Sequence, residues 1–389
     1  MRVVFVGEFP VEPGQSIGGV QAVSQALAAE LAKQPDIELH AIAYQLGIPD
    51  GKVVARDGYD LLCISADPKG GLTTKGRNDR RRLLRKFKEI SPDIIHANQT
   101  GIHALAAFDS GLPTVLTVHG IFSWLSKTLY GGGVKGYGRQ ILFNRLHSEC
   151  LRRAKHVVLI SPYVWEAVGY LGKATTYRID NPVDEVYFNQ TPSMEDNRLL
   201  FVGLISPRKG VEYLLQAFEL VLTAHPGIRL DIVGRVVDQA YFQELQDCVE
   251  RKQMYDEVCW LSPMDRDSLA RKYASATMLI LPSIEETAPC VISEAMAVGC
   301  PVVASRVGGI PYMIEDSRTG LLIEPKDPQG LAKAILDLLS NKELRRSISR
   351  EARKIAVERF APWSVAAKTV DVYHQVIEAE TFAARKVRA

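Results

Sequence analysis

The stretch Met278-Leu-Ile-Leu-Pro-Ser-Ile-Glu-Glu-Thr-Ala-Pro-Cys-Val-Ile-Ser-Glu-Ala-Met-Ala-Val-Gly-Cys-Pro-Val-Val-Ala304 decides the fold of this chain. An apolar, strand-like run (Met278–Leu281) passes through a short polar loop into a helical pattern whose first turn carries Pro289, and a second apolar run follows at Pro301–Ala304. Glu286 lies on the loop and Glu294 about one and a half turns into the helix, with seven residues between them. The backbone between them, through Ala288, Pro289, Cys290 and Val291, offers N–H groups without intrahelical partners at the positive end of the helix dipole. Carboxylates accept hydrogen bonds from vicinal hydroxyls and a helix N-terminus receives phosphate, so the segment suits a sugar joined to a phosphate. The plain alternative is a dipole-stabilising Glu286 and a solvated Glu294.

The same alternation of short β-branched runs and helical patterns extends along the whole chain. Val3–Val6, Leu39–Ala43, Leu61–Ile64, Ile94–His96, Thr114–Val118 and Val157–Ile160 read as strands in the first half. Leu199–Val202, Leu230–Val233, Val258–Leu261 and Leu321–Ile323 join the two runs above in the second. Strands separated by helices predict parallel sheets covered on both faces, hence an α/β protein of two doubly wound, Rossmann-like domains. The Pro- and polar-rich stretch 181–197 marks the seam, giving domains 1–182 and 197–360. A last helix, about 364–389, carries Val365, Val372, Val376 and Ala379.

Residues 294–304, Glu-Ala-Met-Ala-Val-Gly-Cys-Pro-Val-Val-Ala, together with the Glu286 to Glu294 spacing, resemble the signature of the family 4 retaining glycosyltransferases of GT-B fold. The resemblance is dense from about Leu199 to Pro325. It implies two Rossmann-like domains facing across a cleft, the N-terminal one for the acceptor and the C-terminal one for a nucleotide-diphosphate sugar, with the last helix crossing back to the first domain. It implies transfer of a sugar, a hexose in most of the family, with retained configuration and without a metal or resident cofactor. Glu286 would orient the sugar and Glu294 the ribose.

Other segments match more sparsely. Gly18-Gly19, between the first strand and a helix, suits close backbone approach to phosphate oxygens or the acceptor. Gly203-Leu-Ile-Ser-Pro-Arg208-Lys209 resembles the loop that gives cations to the leaving diphosphate, although Leu204 stands where the family often has Arg. His119, at a strand end, resembles the family's histidine near the donor sugar, and Asn98 replaces a usual histidine on the acceptor side. Gly234 and the segment Cys259-Trp-Leu-Ser262 would border the base, while Asn181-Pro-Val-Asp184 reads as a connector. Asp265-Arg-Asp267 mimics a metal-binding motif but precedes a helix, so it reads as a cap. The Gly-rich, aromatic segment from Phe122 through Trp124 and Tyr130 to Gly138 reads as an acceptor-binding loop.

Composition narrows the partners. With 389 residues, 47% hydrophobic, and 47 basic against 45 acidic side chains, the chain is large enough for two cores and has no global polyanion-binding character. Its six cysteines form no metal-like spacing and read as reduced and mostly buried, hence cytoplasmic. The exception to the even charge is 75–88, whose basic face, Arg80 to Lys88, could rest on anionic lipid. Two rivals remain: a two-domain oxidoreductase, which lacks a G-x-G-x-x-G after any strand, and a non-catalytic sugar-nucleotide binder.

Overall fold

The computed structural model describes residues 1–11, 18–68, 74–121, 134–169, 171–193 and 195–388, without the side chains of 134 and 384–388. Ser16, Ile17 and the segment 122–133 of the expected acceptor loop lie outside the described residues. The chain divides into two compact units, one of Met1–Pro182 with Pro362–Ala389 and one of Val183–Ala361.

The first unit holds strands β1 (Arg2–Gly7), β2 (Glu38–Gln45), β3 (Val53–Arg56), β4 (Tyr59–Ser65), β5 (Ile94–Ala97), β6 (Thr114–Val118), β7 (His156–Leu159) and β8 (Thr175–Arg178). They form one sheet in the order β3-β4-β2-β1-β5-β6-β7-β8, parallel except for the β3–β4 hairpin. Helices α1 (Gly19–Ala32), α2 (Arg77–Ile90), α3 (Ile102–Asp109), α4 (Val134–Arg153) and α5 (Pro162–Val168) connect them. The central strands read as unbroken apolar runs because both faces are covered: Val3, Val4, Phe5 and Val6 are all 0% exposed.

The second unit has β9 (Arg198–Val202), β10 (Arg229–Val233), β11 (Val258–Leu261), β12 (Met278–Leu281), β13 (Val302–Ser305) and β14 (Leu321–Ile323), all parallel, ordered β11-β10-β9-β12-β13-β14. Its helices are α6 (Val211–Ala224), α7 (Gln239–Arg251), α8 (Arg266–Ser275), α9 (Cys290–Val298), α10 (Pro328–Ser340) and α11 (Lys342–Arg359). The small residues of α9 let it sink into the core, with Ala295, Met296, Ala297 and Val298 all 0% exposed. The last helix, α12 (Pro362–Arg388), belongs to the first unit, where Val365, Tyr373 and Val376 join Phe5 and Leu31 in one core.

Several expectations need correcting. The helix after β12 begins at Cys290, so Pro289 stands at its N-cap rather than inside its first turn. Residues 134–138, expected in a loop, are the first residues of α4, and Ala379 is exposed rather than part of the apolar stripe of α12. Of the cysteines, Cys259 is exposed and Cys248 and Cys290 only partly covered. The basic face of α2 is narrower than its composition suggests: Arg80 pairs with Asp109, Arg82 with Asp50 and Asp79, and Lys86 with Glu89.

Candidate functional site

Each sheet reverses its winding once, and an open α/β sheet offers ligands a crevice at that point, beyond the carboxyl ends of its strands. In the second unit the reversal lies between β9 and β12. The loops leaving those strands carry Arg208-Lys209 and Glu286.

These two loops are joined through their backbones. Ile284 N–H donates to the Arg208 carbonyl at 2.9 Å, and Gly210, at φ +66°, passes so close that an added Cβ would lie 2.2 Å from the Pro282 carbonyl oxygen. Glu286, 6% exposed, sits between the two cations. Its Oε1 pairs with Lys209 Nζ and accepts from Ser283 Oγ at 2.8 Å, and its Oε2 is 3.5 Å from Arg208 Nη1. Arg208 Nη1 also donates to the Glu285 carbonyl at 2.9 Å. Lys209 is itself 8% exposed, so a buried carboxylate and ammonium neutralise each other, in the arrangement that makes burial of charge tolerable. Leu204 points partly to solvent at 36% exposure, and the cations of this loop are Arg208 and Lys209. Gly203 and Gly234 follow β9 and β10 with their backbones so close that no Cβ fits at Gly234.

Glu294 stands on α9 over a pair of tyrosines. Tyr273, 0% exposed, donates from Oη to Glu294 Oε2 at 2.9 Å, and the ring of Tyr187 packs edge-on against it at 6.0 Å. Burial, countered by the Tyr273 hydrogen bond and reinforced by the charge of Asp184, pushes the Glu294 carboxyl up to about 7. Desolvation and the neighbouring Glu294 charge push the Cys290 thiol up to about 12, so it stays protonated despite its place at the helix start. Asp265 caps α8, accepting from Ser268 N–H at 2.8 Å, as its place before that helix suggested. Among the described residues no group of three or more His, Cys, Asp or Glu is placed to hold a metal ion.

In the first unit the reversal lies between β1 and β5. Asn98 follows β5 and His119 follows β6, and a chain of hydrogen bonds joins them to α1. Ser24 Oγ donates to the Val20 carbonyl at 3.0 Å, Asn98 Nδ2 donates to Ser24 Oγ at 2.8 Å, and Asn98 Oδ1 meets His119 Nε2 at 2.8 Å. That orientation of the amide makes Nε2 the protonated nitrogen. Among the described residues none is placed to hydrogen-bond His119 Nδ1, and the ring borders a cavity of about 20 Å³ that also touches Asn98, Asp180 and Asn181. Burial pulls the His119 pKa down to about 4, partly offset by Asn181, so the imidazole is neutral near pH 7. Asn98, expected to touch the acceptor, is 1% exposed and engaged at both ends of its amide, which places it behind His119 as its support. Gly18 caps α1 in extended conformation, and Gly19 is the first residue of that helix.

A family model for Glycosyl transferases group 1 matches residues 183–355, and one for Glycosyltransferase Family 4 matches residues 17–186. The chain belongs to the family 4 glycosyltransferases. It is 32% identical over 197 residues to an uncharacterised glycosyltransferase of Methanocaldococcus jannaschii, covering 50% of this chain and 50% of that one. It is 26% identical over 374 residues to the N-acetyl-alpha-D-glucosaminyl L-malate synthase of Bacillus anthracis, covering 93% of this chain and 95% of that one. The match thus spans half the length of the first of these relatives and nearly all of the second. Among solved structures, Anabaena HepE in complex with UDP superposes with a TM-score of 0.74 at 21% identity, over 96% of this chain and 100% of that one. The two parallel sheets are those of the GT-B fold.

Of the residues singled out in the sequence of this family 4 member, Arg208, Lys209 and Glu286 meet in the second unit, and Glu294 stands on α9 beside Tyr273. Sequence reasoning missed Ser283, Tyr273 and Ser24, whose roles depend on distances across the fold. Ser283, three residues before Glu286, was the one within reach of a local reading.

Proposed function

We propose that this chain moves a sugar, a hexose in the first instance, from a nucleotide-diphosphate sugar to an acceptor hydroxyl, with retention and without a metal. The observation that supports it best is the meeting of Arg208, Lys209 and Glu286 beside the N-terminus of α9. A diphosphate would draw Arg208 and Lys209 and take N–H groups from the backbone around Ala288, Pro289, Cys290 and Val291. Glu286, released from part of its pairing, would accept from the sugar hydroxyls, and Glu294 from the ribose. Gly203 and Gly234 would let the nucleotide approach the sheet closely, and Gly19 with Gly18 would do the same for phosphate and acceptor in the first unit.

As the bond from the anomeric carbon to the phosphate oxygen breaks, the acceptor oxygen bonds to that carbon on the same face. Its proton passes to the departing phosphate oxygen, giving glycoside and nucleoside diphosphate. Arg208, Lys209 and the helix terminus stabilise the charge that develops on the phosphate. His119, neutral and with Nδ1 open, would accept a hydrogen bond from a sugar hydroxyl rather than move a proton. The acceptor belongs to a cell-surface glycan or glycolipid, and the reaction takes place on the cytoplasmic side. That HepE was solved with UDP makes a uridine nucleotide the first donor to try.

The test is a thermal-shift screen of nucleoside diphosphates in excess EDTA, then transfer assays with the matching sugar nucleotides. A ligand at about a hundred times its Kd adds roughly 2.7 kcal/mol, a shift of about 5–11 °C in a unit of this size. No shift with any diphosphate, or transfer that needs added Mg²⁺ or Mn²⁺, would overturn the reading.

Glu294 adds a pH dependence. Its raised pKa leaves the carboxyl neutral below about 7, where it has fewer lone pairs for ribose hydroxyls, and ionised above. Affinity for a nucleotide-diphosphate sugar, whose phosphates stay ionised throughout, is therefore expected to rise as pH climbs through 7 and to be flat in Glu294→Gln. Calorimetric titration from pH 5.5 to 8.5 checks this (on the order of one pKa span each side); parallel profiles for the two proteins remove Glu294 from the ribose site.

A further inference from the structure

Helices α2, α3 and α4 are tied together in the first unit by Arg80 and Arg153, which both pair with Asp109, and by Lys75 with Glu149. Their sequences hold twelve Arg and Lys against four carboxylates, in a chain whose whole formal charge is +2. Charge is therefore segregated onto this layer, and the rest of the molecule is acidic. All four carboxylates are already engaged: Asp79 by Tyr44 and Arg82, Glu89 by Lys86, Asp109 and Glu149 as above. Arg77, Arg81, Arg85 and Lys88 are exposed and have no ion pair among the described residues. At helical spacing they make one stripe along α2.

On α4, Lys135, Arg139 and Arg145 are likewise exposed, and among them stand Tyr137 at 66% and Ile141 at 37% exposure. Tyr137 and Ile141 are four residues apart and share a face. An aromatic and an aliphatic side chain set among cations match the boundary between lipid headgroups and acyl chains. A nucleic acid would use the cations but has no need of Ile141. No helix among the described residues is long and apolar enough to cross a membrane, so contact with a bilayer would be made from its surface.

We propose that the outer face of α2 and α4 docks on a bilayer rich in anionic phospholipid, with the α2 stripe on the headgroups and Tyr137 and Ile141 entering the interface. The inference does not depend on the transfer reaction proposed above. Co-sedimentation of the full chain tests it, using vesicles of phosphatidylcholine alone or with phosphatidylglycerol, at low and at high salt. Binding is expected only to the anionic vesicles and to weaken at least tenfold at high salt, as surface charge is screened. Arg81→Glu/Arg85→Glu/Lys88→Glu should abolish it. Tyr137→Ser/Ile141→Ser should weaken it severalfold while leaving its salt dependence in place. The matched reversal Arg346→Glu/Arg350→Glu/Lys354→Glu, on exposed positions of α11, should leave it unchanged. Absence of binding at low salt, or equal loss from both reversals, overturns the docking face. Equal binding to an oligonucleotide, indifferent to Tyr137 and Ile141, replaces the lipid with a general polyanion and overturns the proposal as well. All substituted residues are exposed, and unchanged melting temperatures of the variants verify that folding is intact.

Discussion

Lys209→Met is expected to lower the unfolding free energy by roughly 3 kcal/mol and to reduce transfer to background. Removing one partner of a buried ion pair leaves the other charge uncompensated, typically at a cost of about 3–5 kcal/mol. The low end applies because Arg208 stays 3.5 Å from Glu286 and Ser283 still donates to it. In Lys209→Met/Glu286→Gln no charge is left stranded, so most of the stability should return while activity does not. Glu286→Gln alone should also lose turnover, since an amide cannot replace both carboxylate oxygens as acceptors. Urea midpoints of the four proteins form the cycle. Additive midpoints would falsify the assignment of this pair as one buried unit.

Gly234→Ala is expected to cost well over what Gly203→Ala costs. A Cβ at Gly234 would lie 1.8 Å from the Gly203 carbonyl oxygen, and neither backbone is free to yield, because Gly203 N–H bonds to Val233 O at 3.0 Å and Gly234 N–H to Leu261 O at 3.1 Å. Strain of this kind typically costs about 1–3 kcal/mol. At Gly203 the added atom would meet only the Phe201 ring at 3.3 Å, so Gly203→Ala should cost less. Because the end of β9 that moves also carries the Arg208 loop, which is bonded to the Glu286 loop through Ile284 N–H, Gly234→Ala should weaken diphosphate binding more than its stability loss implies. Comparable melting temperatures for the two variants would count against the close-approach account.

Apolar strands were legible in the sequence, the edges β11 and β14 of the second sheet included, and the polar edge strands of the first sheet were not. The twelve runs read as strands all form strands, and in the central ones burial on both faces demands continuous apolar residues. The two that escaped, β3 and β8, lie at the ends of the first sheet and consist of exposed and half-covered residues. The β3–β4 hairpin did carry a local signal in Asp57-Gly58, a turn pair favoured between paired strands. At the site, the Glu286, Glu294, Arg208 and Lys209 positions follow from motif and helix geometry. That Lys209 neutralises Glu286 in the free protein depends on two loops 77 residues apart being brought together, which no local pattern encodes. The support of His119 by Asn98 and Ser24 is equally remote, reaching 74 residues from α1 to β5.

The first unit is assembled from two stretches of chain with the whole second unit between them. Val365, Tyr373 and Val376 fill its core beside Phe5, and Tyr373 Oη meets His96 Nδ1 at 2.7 Å. During synthesis the stretch made before the second unit must therefore wait for α12, made after it, before their shared core can close. The second unit, continuous from Val183 to Ala361, has all its parts on hand earlier and can fold as a body of its own. Emergence from the ribosome then runs against the usual order, with the amino-terminal half the last to mature and the one most in need of protection until then.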